Sequence, residues 1–185
     1  YTGHWQRYTA DGGEQGPCGV RDVLVRGFDK GVTANALNSI TFTGLVLEHQ
    51  NVVGIENENH TLYIERLVSR NAVPALKSEG GHVLLVDSQL TGGAADAAAI
   101  VKTGGGSLFV RNTLVEGYGA GISNRGGPAH PAGTIVEYAW PAPVALFGAP
   151  GPSLNLSVKQ PPEPAWETDF ARWATIEEYR TGGRN

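Results

Sequence analysis

A unit of about 22 residues recurs along this chain, and no other feature narrows its fold so much. Residues 39–60, 61–82, 83–105 and 107–127 can be laid over one another, and two landmarks then recur. The first is an apolar residue that closes a short alternating run. It is met at Phe42, Ile64, Val86 and Val110, with separations of 22, 22 and 24 residues. The second is an apolar residue that follows Gly, Ala or another small residue. It is met at Val32, Ile55, Leu76, Ile100 and Ile122, with separations of 23, 21, 24 and 22. Two landmarks with one period argue for a repeated structural unit.

Each unit holds two or three short runs with the two-residue period of a half-buried strand: Ile40 and Phe42, Leu62 and Ile64, Leu84 and Val86, Leu108 and Val110. Glycines at 80–81, 104–106 and 126–127 punctuate the runs and allow the chain to turn. No helical pattern of 10–15 residues separates them, which excludes βαβ units. Asn-Gly hairpin signals are absent, which weighs against a β-sandwich. A strand that returns to the same place every 22 residues pairs in parallel with its own copy. The expected fold is therefore all-β, a parallel β-helix of about five rungs running from Val23 to Ile122, with rungs about 4.8 Å apart. One rung cannot bury its apolar face alone, so stacking supplies the stability.

Beyond Gly127 the prolines crowd together, with nine between Pro128 and Pro164. Three regions follow from this change. Residues 1–127 carry the rungs, 128–165 form a proline-stiffened connector along the solenoid, and 166–185 form a short terminal element, helix or strand. Trp140, Phe147, Trp166, Phe170 and Trp173 are the expected anchors of the connector. The chain holds no methionine and reads as a piece of something longer, so its own N-terminus does not reveal secretion.

Composition excludes several classes of function. The net charge is −4, and no basic footprint for nucleic acid is present. No run of 18 apolar residues exists to span a membrane. Cys18 is the only cysteine, which removes an internal disulfide framework and multi-cysteine metal sites.

The period also places side chains in columns. Thr43, Glu65, Asp87 and Arg111, with Arg26 from the opening rung, follow inward residues and so point outward. Glu65 and Asp87 on adjacent rungs would place two carboxylates close enough to perturb one pKa or to serve glycoside hydrolysis. Arg111 could stabilise a developing anion. The same column also reads as a surface charge ladder of little energetic weight. His60 and His82, below Asn38 and above Gly106, would be rung neighbours fit for acid–base or ligand contacts, or plain turn residues. No Asp, Glu or Cys joins them, so no metal shell is expected. Thr33, Glu56, Lys77, Val101 and Ser123 read as mixed solvated surface. Tyr118, read as exposed, could stack on a sugar ring.

Several stretches are similar to those of a known family: VRDVLVRGFDKGV, LVSRNAVPAL, GHVLLVDSQLTGG and GGGSLFVRNTLVEGYGAGI. They resemble the pectate-lyase-like, polygalacturonase-related proteins, which are right-handed parallel β-helices. ALFGAPGPSLNLSVKQPPEPAW resembles the connector between two tandem β-helix domains, and WATIEEYRTGGRN the first strand of a second. The resemblance implies an extracellular or periplasmic protein that acts on polysaccharide, commonly acidic, as a lyase or glycoside hydrolase. It carries over no catalytic residue by motif: Glu65, Asp87 and Arg111 are catalytic candidates from the column geometry alone, with His60, His82, Arg26 and Tyr118 as candidate substrate contacts. The family's Asp-Asp step, its Gly-His-Gly and its calcium-binding aspartate cluster are all missing. No cofactor is evident, and Ca2+ has no supporting motif. The competing reading is a non-catalytic carbohydrate-binding or structural solenoid, such as an adhesin, a tailspike or a self-assembling filament subunit. The expected partners are a polysaccharide and either the rest of a longer parent chain or further copies.

Overall fold

The computed structural model describes residues 18–35, 39–141 and 155–158. All regular structure in them is β, arranged as a ten-stranded and a five-stranded sheet. The first rung is β1 (Cys18–Arg21), β2 (Leu24–Arg26) and β3 (Lys30–Ala34). The second is β4 (Ser39–Thr43), β5 (Val46–Glu48) and β6 (Val53–Asn57), and the third is β7 (Thr61–Glu65), β8 (Val68–Asn71) and β9 (Leu76–Ser78). In the fourth, β10 (His82–Gly92) runs through both of the first two faces before β11 (Ala98–Lys102). The fifth does the same with β12 (Ser107–Glu116) and β13 (Ala120–Asn124). Like pairs with like in parallel from rung to rung, so the chain is a parallel β-solenoid of five turns.

The interior is a set of apolar columns. Ile40, Leu62, Val83 and Leu108 stack on one line, and Phe42, Ile64, Leu85 and Val110 on the next. Val32, Ile55, Leu76, Ile100 and Ile122 stack on the third face, as the second landmark requires. Nearly all are fully buried. Each buried Leu or Ile contributes about 1.5–3 kcal/mol. The first landmark is corrected by one residue in the fourth rung, where the inward position belongs to Leu85 and not Val86. Leu84, Leu85 and Val86 are all apolar, so alternation alone could not choose among them.

Two local devices set the rung shape. Between the first and second faces, one residue per rung takes a left-handed conformation: Asp22, Gly44, Arg66, Asp87 and Asn112, with φ between 47° and 68°. Such a residue bends the strand without ending its pairing, and Asp, Asn and Gly tolerate it best. The next inward residue then satisfies the corner: Ser88 Oγ donates to the Val86 carbonyl at 2.7 Å and accepts from the Leu67 amide at 3.0 Å. Before the third face lies a column of small residues, Gly31, Gly54, Ala75, Ala99 and Gly121. A Cβ at Gly31 would stand 2.6 Å from the Gly54 carbonyl oxygen, so the first rungs approach too closely there for a side chain, and Ala75 and Ala99 carry only a methyl group. This close approach is the physical origin of the small residue before each apolar landmark.

A polar column runs beside the apolar ones. Asn57, Ser78, Lys102 and Asn124 are in register and buried. The side chains of the first three reach the carbonyls of the turn that follows. Asn57 donates to the His60 carbonyl at 2.9 Å, Ser78 to Gly80 at 2.7 Å and Lys102 to Gly105 at 2.7 Å. Buried turns are held in this way without leaving carbonyls unpaired.

The chain then reverses. β14 (Gly133–Trp140) lies antiparallel on β12, and β15 (Asn155–Val158) antiparallel on β14. Residues 133–140 of the expected connector are thus a strand paired with the last rung. They are rich in β-branched and aromatic residues, and Pro131 and Pro141 only flank them. Tyr138 is fully buried opposite Val110, with its hydroxyl accepting from Asn124 at 2.8 Å and donating to the Pro128 carbonyl at 2.9 Å. Trp140 packs on the core, and its indole fills the space a Cβ on Gly127 would need. The remaining expected anchors, Phe147, Trp166, Phe170 and Trp173, and the element expected at 166–185 lie outside the described residues.

Candidate functional site

The outer face of the first strands carries three parallel rows, because every second residue of β4, β7, β10 and β12 points away from the core. The first row is Ser39, Thr61, His82 and Ser107. The middle row is Thr41, Tyr63, Leu84 and Phe109, continued by Ala139 of β14. The third is Arg21, Thr43, Glu65, Val86 and Arg111, continued by Glu137. Tyr63 is 46% exposed, whereas Leu84 and Phe109 are half-buried between neighbours. A line of apolar and aromatic side chains therefore lies between a hydroxyl-and-imidazole row and a charged row. Phe109 escaped the sequence reading, although its alternation with Leu108 and Val110 was visible.

The structure brings Glu65, Arg111 and His82 to this one face. It does not pair Glu65 with Asp87. The rung neighbour of Glu65 is Val86, and Asp87 occupies the left-handed corner, where its Oδ1 accepts from Asn112 Nδ2 at 2.6 Å. The one-residue slip in the fourth rung causes this correction. Arg26 also leaves the expected column, because the opening-rung member is Arg21.

His60 and His82 are not rung neighbours. His82 stands beside Ser107, hydrogen-bonded through Nδ1 to its Oγ at 2.9 Å. His60 stands over Gly81, and its amide donates to Asn57 Oδ1 at 2.9 Å in a closed turn. Asn38 lies outside the described residues. Tyr118 is no surface platform. It is 5% exposed, and its hydroxyl donates to the carbonyls of Asn71 and Val73 at 3.1 and 3.0 Å. Burial pushes this phenol up to about 12.

Charge on the other two outer faces is used in ladders. Arg26 and Arg70 flank Glu48 on the second face, and Lys30 and Lys77 flank Glu56 on the third. Glu56 and Lys77 sit in the mixed column the period gave. Burial works to raise the Glu48 carboxyl, but hydrogen bonds and charge from Arg26 and then Arg70 outweigh it, and the net shift is downward. Val46 and Val68 point outward on the second face and are nevertheless buried. That face therefore offers no open apolar row on the second and third rungs, while the first face does. Among the described residues no group of three or more His, Cys, Asp or Glu is placed to hold a metal ion.

Comparison with known proteins gave no match to a family model, to a curated protein or to a solved structure.

Proposed function

We propose that this protein binds polysaccharide along the outer face of its first strands, as a non-catalytic solenoid. The observation that carries the reading is the row Thr41, Tyr63, Leu84 and Phe109, with Tyr63 open to solvent. Sugar rings present apolar C–H faces that pack on aromatic and aliphatic side chains, while their hydroxyls seek partners at the edges. Here Ser39, Thr61, His82 and Ser107 supply one such edge, and Glu65 and Arg111 the other. The resemblance to pectate-lyase-like solenoids points to the same class of ligand and to a place outside the cytoplasm. Glycoside hydrolysis by two carboxyl groups needs a second acidic group beside Glu65, and Val86 stands there instead.

The test is affinity electrophoresis and calorimetry of the intact protein against a panel of plant, algal and bacterial polysaccharides. Assays for new reducing ends and unsaturated products run in parallel. Binding without products is expected, and Tyr63→Ala should weaken it about tenfold, or 1.4 kcal/mol, with unchanged thermal stability. Binding to none of the panel overturns the reading. Product release lost in Glu65→Gln would replace it with a polysaccharide-processing enzyme.

A further inference from the structure

We infer that the ligand of this face is a neutral, equatorially linked glycan chain lying parallel to the solenoid axis. The inference rests on the polysaccharide-binding reading and adds linkage and charge to it.

Linkage follows from the geometry of the middle row. Thr41, Tyr63, Leu84 and Phe109 are direct register partners, so the row is straight and climbs one rung per residue. Each step is about 4.8 Å, which puts Tyr63 and Phe109 two steps apart with Leu84 between them. A 1,4-linked pyranose chain with both glycosidic bonds equatorial is a flat ribbon with a two-fold screw. It advances by close to one rung height per sugar and shows the same face at every second sugar. Tyr63 and Phe109 therefore fall beneath alternate sugars with like faces, and Leu84 beneath the sugar between. A chain with one axial and one equatorial bond per sugar, such as an α-1,4-glucan, coils, so its faces turn away from a straight row after one contact.

Charge follows from the flanking rows. The third row reads Arg21, Thr43, Glu65, Val86, Arg111 and Glu137, which changes sign along its length. A polyanion laid on the face would meet carboxylates at Glu65 and Glu137 as well as guanidinium groups at Arg21 and Arg111. It would gain no net attraction. The first row is hydroxyl-rich, with Ser39, Thr61 and Ser107 at successive or alternate rungs, and suits uncharged sugar hydroxyls.

Calorimetry of the intact protein with oligosaccharides of two to six sugars tests this in three series. They are β-1,4-linked gluco-oligosaccharides, α-1,4-linked gluco-oligosaccharides and α-1,4-linked galacturonides. For the β-1,4 series, affinity should rise at least about tenfold from disaccharide to tetrasaccharide and then level off. It should be unchanged between about 50 and 500 mM salt. Phe109→Leu keeps an apolar side chain in the row and should remove most of the tetrasaccharide gain, as should Tyr63→Ala. Equal binding of the α-1,4 glucan series, or tighter and salt-sensitive binding of galacturonides, overturns the inference. If those chains bind and Tyr63→Ala abolishes it, the polysaccharide-binding reading stands and only its linkage or charge falls. If no series binds, nor any polysaccharide of the panel, the parent reading falls.

Discussion

Glu48 accepts a hydrogen bond from Arg26 Nε at 2.8 Å across one rung step, and the next rung brings Arg70 to its other oxygen at 3.0 Å. One carboxylate thus links three turns of the solenoid from outside. Both arginines are well exposed, so solvent screens the pairs and the ladder is worth about 1 kcal/mol at most. The Glu48 carboxyl is depressed below 4.5, so its stabilisation is present above that value and is lost as pH falls through the folded-state value. Glu48→Gln should therefore lower stability at pH 7 by up to about 1 kcal/mol in urea melts. The difference from the parent protein should shrink in 1 M salt and at pH below 4.5, and a difference that persists under both conditions would show that packing is responsible.

The small-residue column gives a sharper prediction. Gly54→Ala would drive a methyl group into the Ala75 carbonyl one rung away, where the backbone cannot yield. A loss of about 1–3 kcal/mol is expected in chemical denaturation. Gly105→Ala is the control, since a Cβ there meets nothing within 4 Å and its φ is not positive. It should stay within about 0.5 kcal/mol of the parent. Similar losses in both variants would count against rung approach as the cause.

How far the sequence reveals this molecule can be judged from that same column. The pattern of a small residue followed by an apolar one identified all five members from Val32 to Ile122, because two steric constraints act on adjacent positions. The first face was harder to read. Three consecutive apolar residues at Leu84, Leu85 and Val86 hid the register, and the extra residues around the glycines at 104–106 absorbed the slip. The misplacement of Asp87 and of the histidine pair follows from that single residue. Asp22, Arg66, Asp87 and Asn112 gave no sign of a corner, since a left-handed φ at a residue other than glycine leaves little trace in sequence. Tyr118 looked like a surface residue, and Lys102 drew no notice, because their interior partners are backbone carbonyls, which no side-chain pattern reveals. In β14, a count of prolines outweighed a run rich in β-branched and aromatic residues, Ile135, Val136, Tyr138 and Trp140.

Lys102 yields a pH prediction. Its Nζ is buried on backbone carbonyls, and burial lowers its pKa below 10.5. The unfolded chain then binds the proton more readily than the folded one. Folding is accordingly disfavoured at pH below the folded-state value and gains stability as pH rises from that value toward 10.5. Lys102→Met should abolish this gain when denaturation midpoints of the two proteins are compared between neutral pH and 10.5. An identical pH profile in both would refute the assignment.

Tyr118 moves in the opposite sense. Its folded-state pKa is raised from 10.0 to about 12, so its contribution is complete below 10.0 and disappears as pH climbs through that interval. Tyr118→Phe removes the one proton shared between the Asn71 and Val73 carbonyls and should cost about 1–3 kcal/mol at pH 7. The penalty should narrow above pH 10. Glycan affinity should be unaffected, because the ring lies beneath Gly93 and away from the open row. A large loss of affinity at unchanged stability would return Tyr118 to the binding surface.

The antiparallel strand β14 has an evolutionary consequence. A duplicated segment inserted between β4 and β12 would find the same hydrogen-bonding polarity above and below it, and could join the stack without disturbing its neighbours. After β12 the polarity is inverted, so a copy placed there would meet a mismatched edge. Lengthening of this scaffold, and of any ligand track along it, is thus open on the N-terminal side of β12 and blocked beyond it.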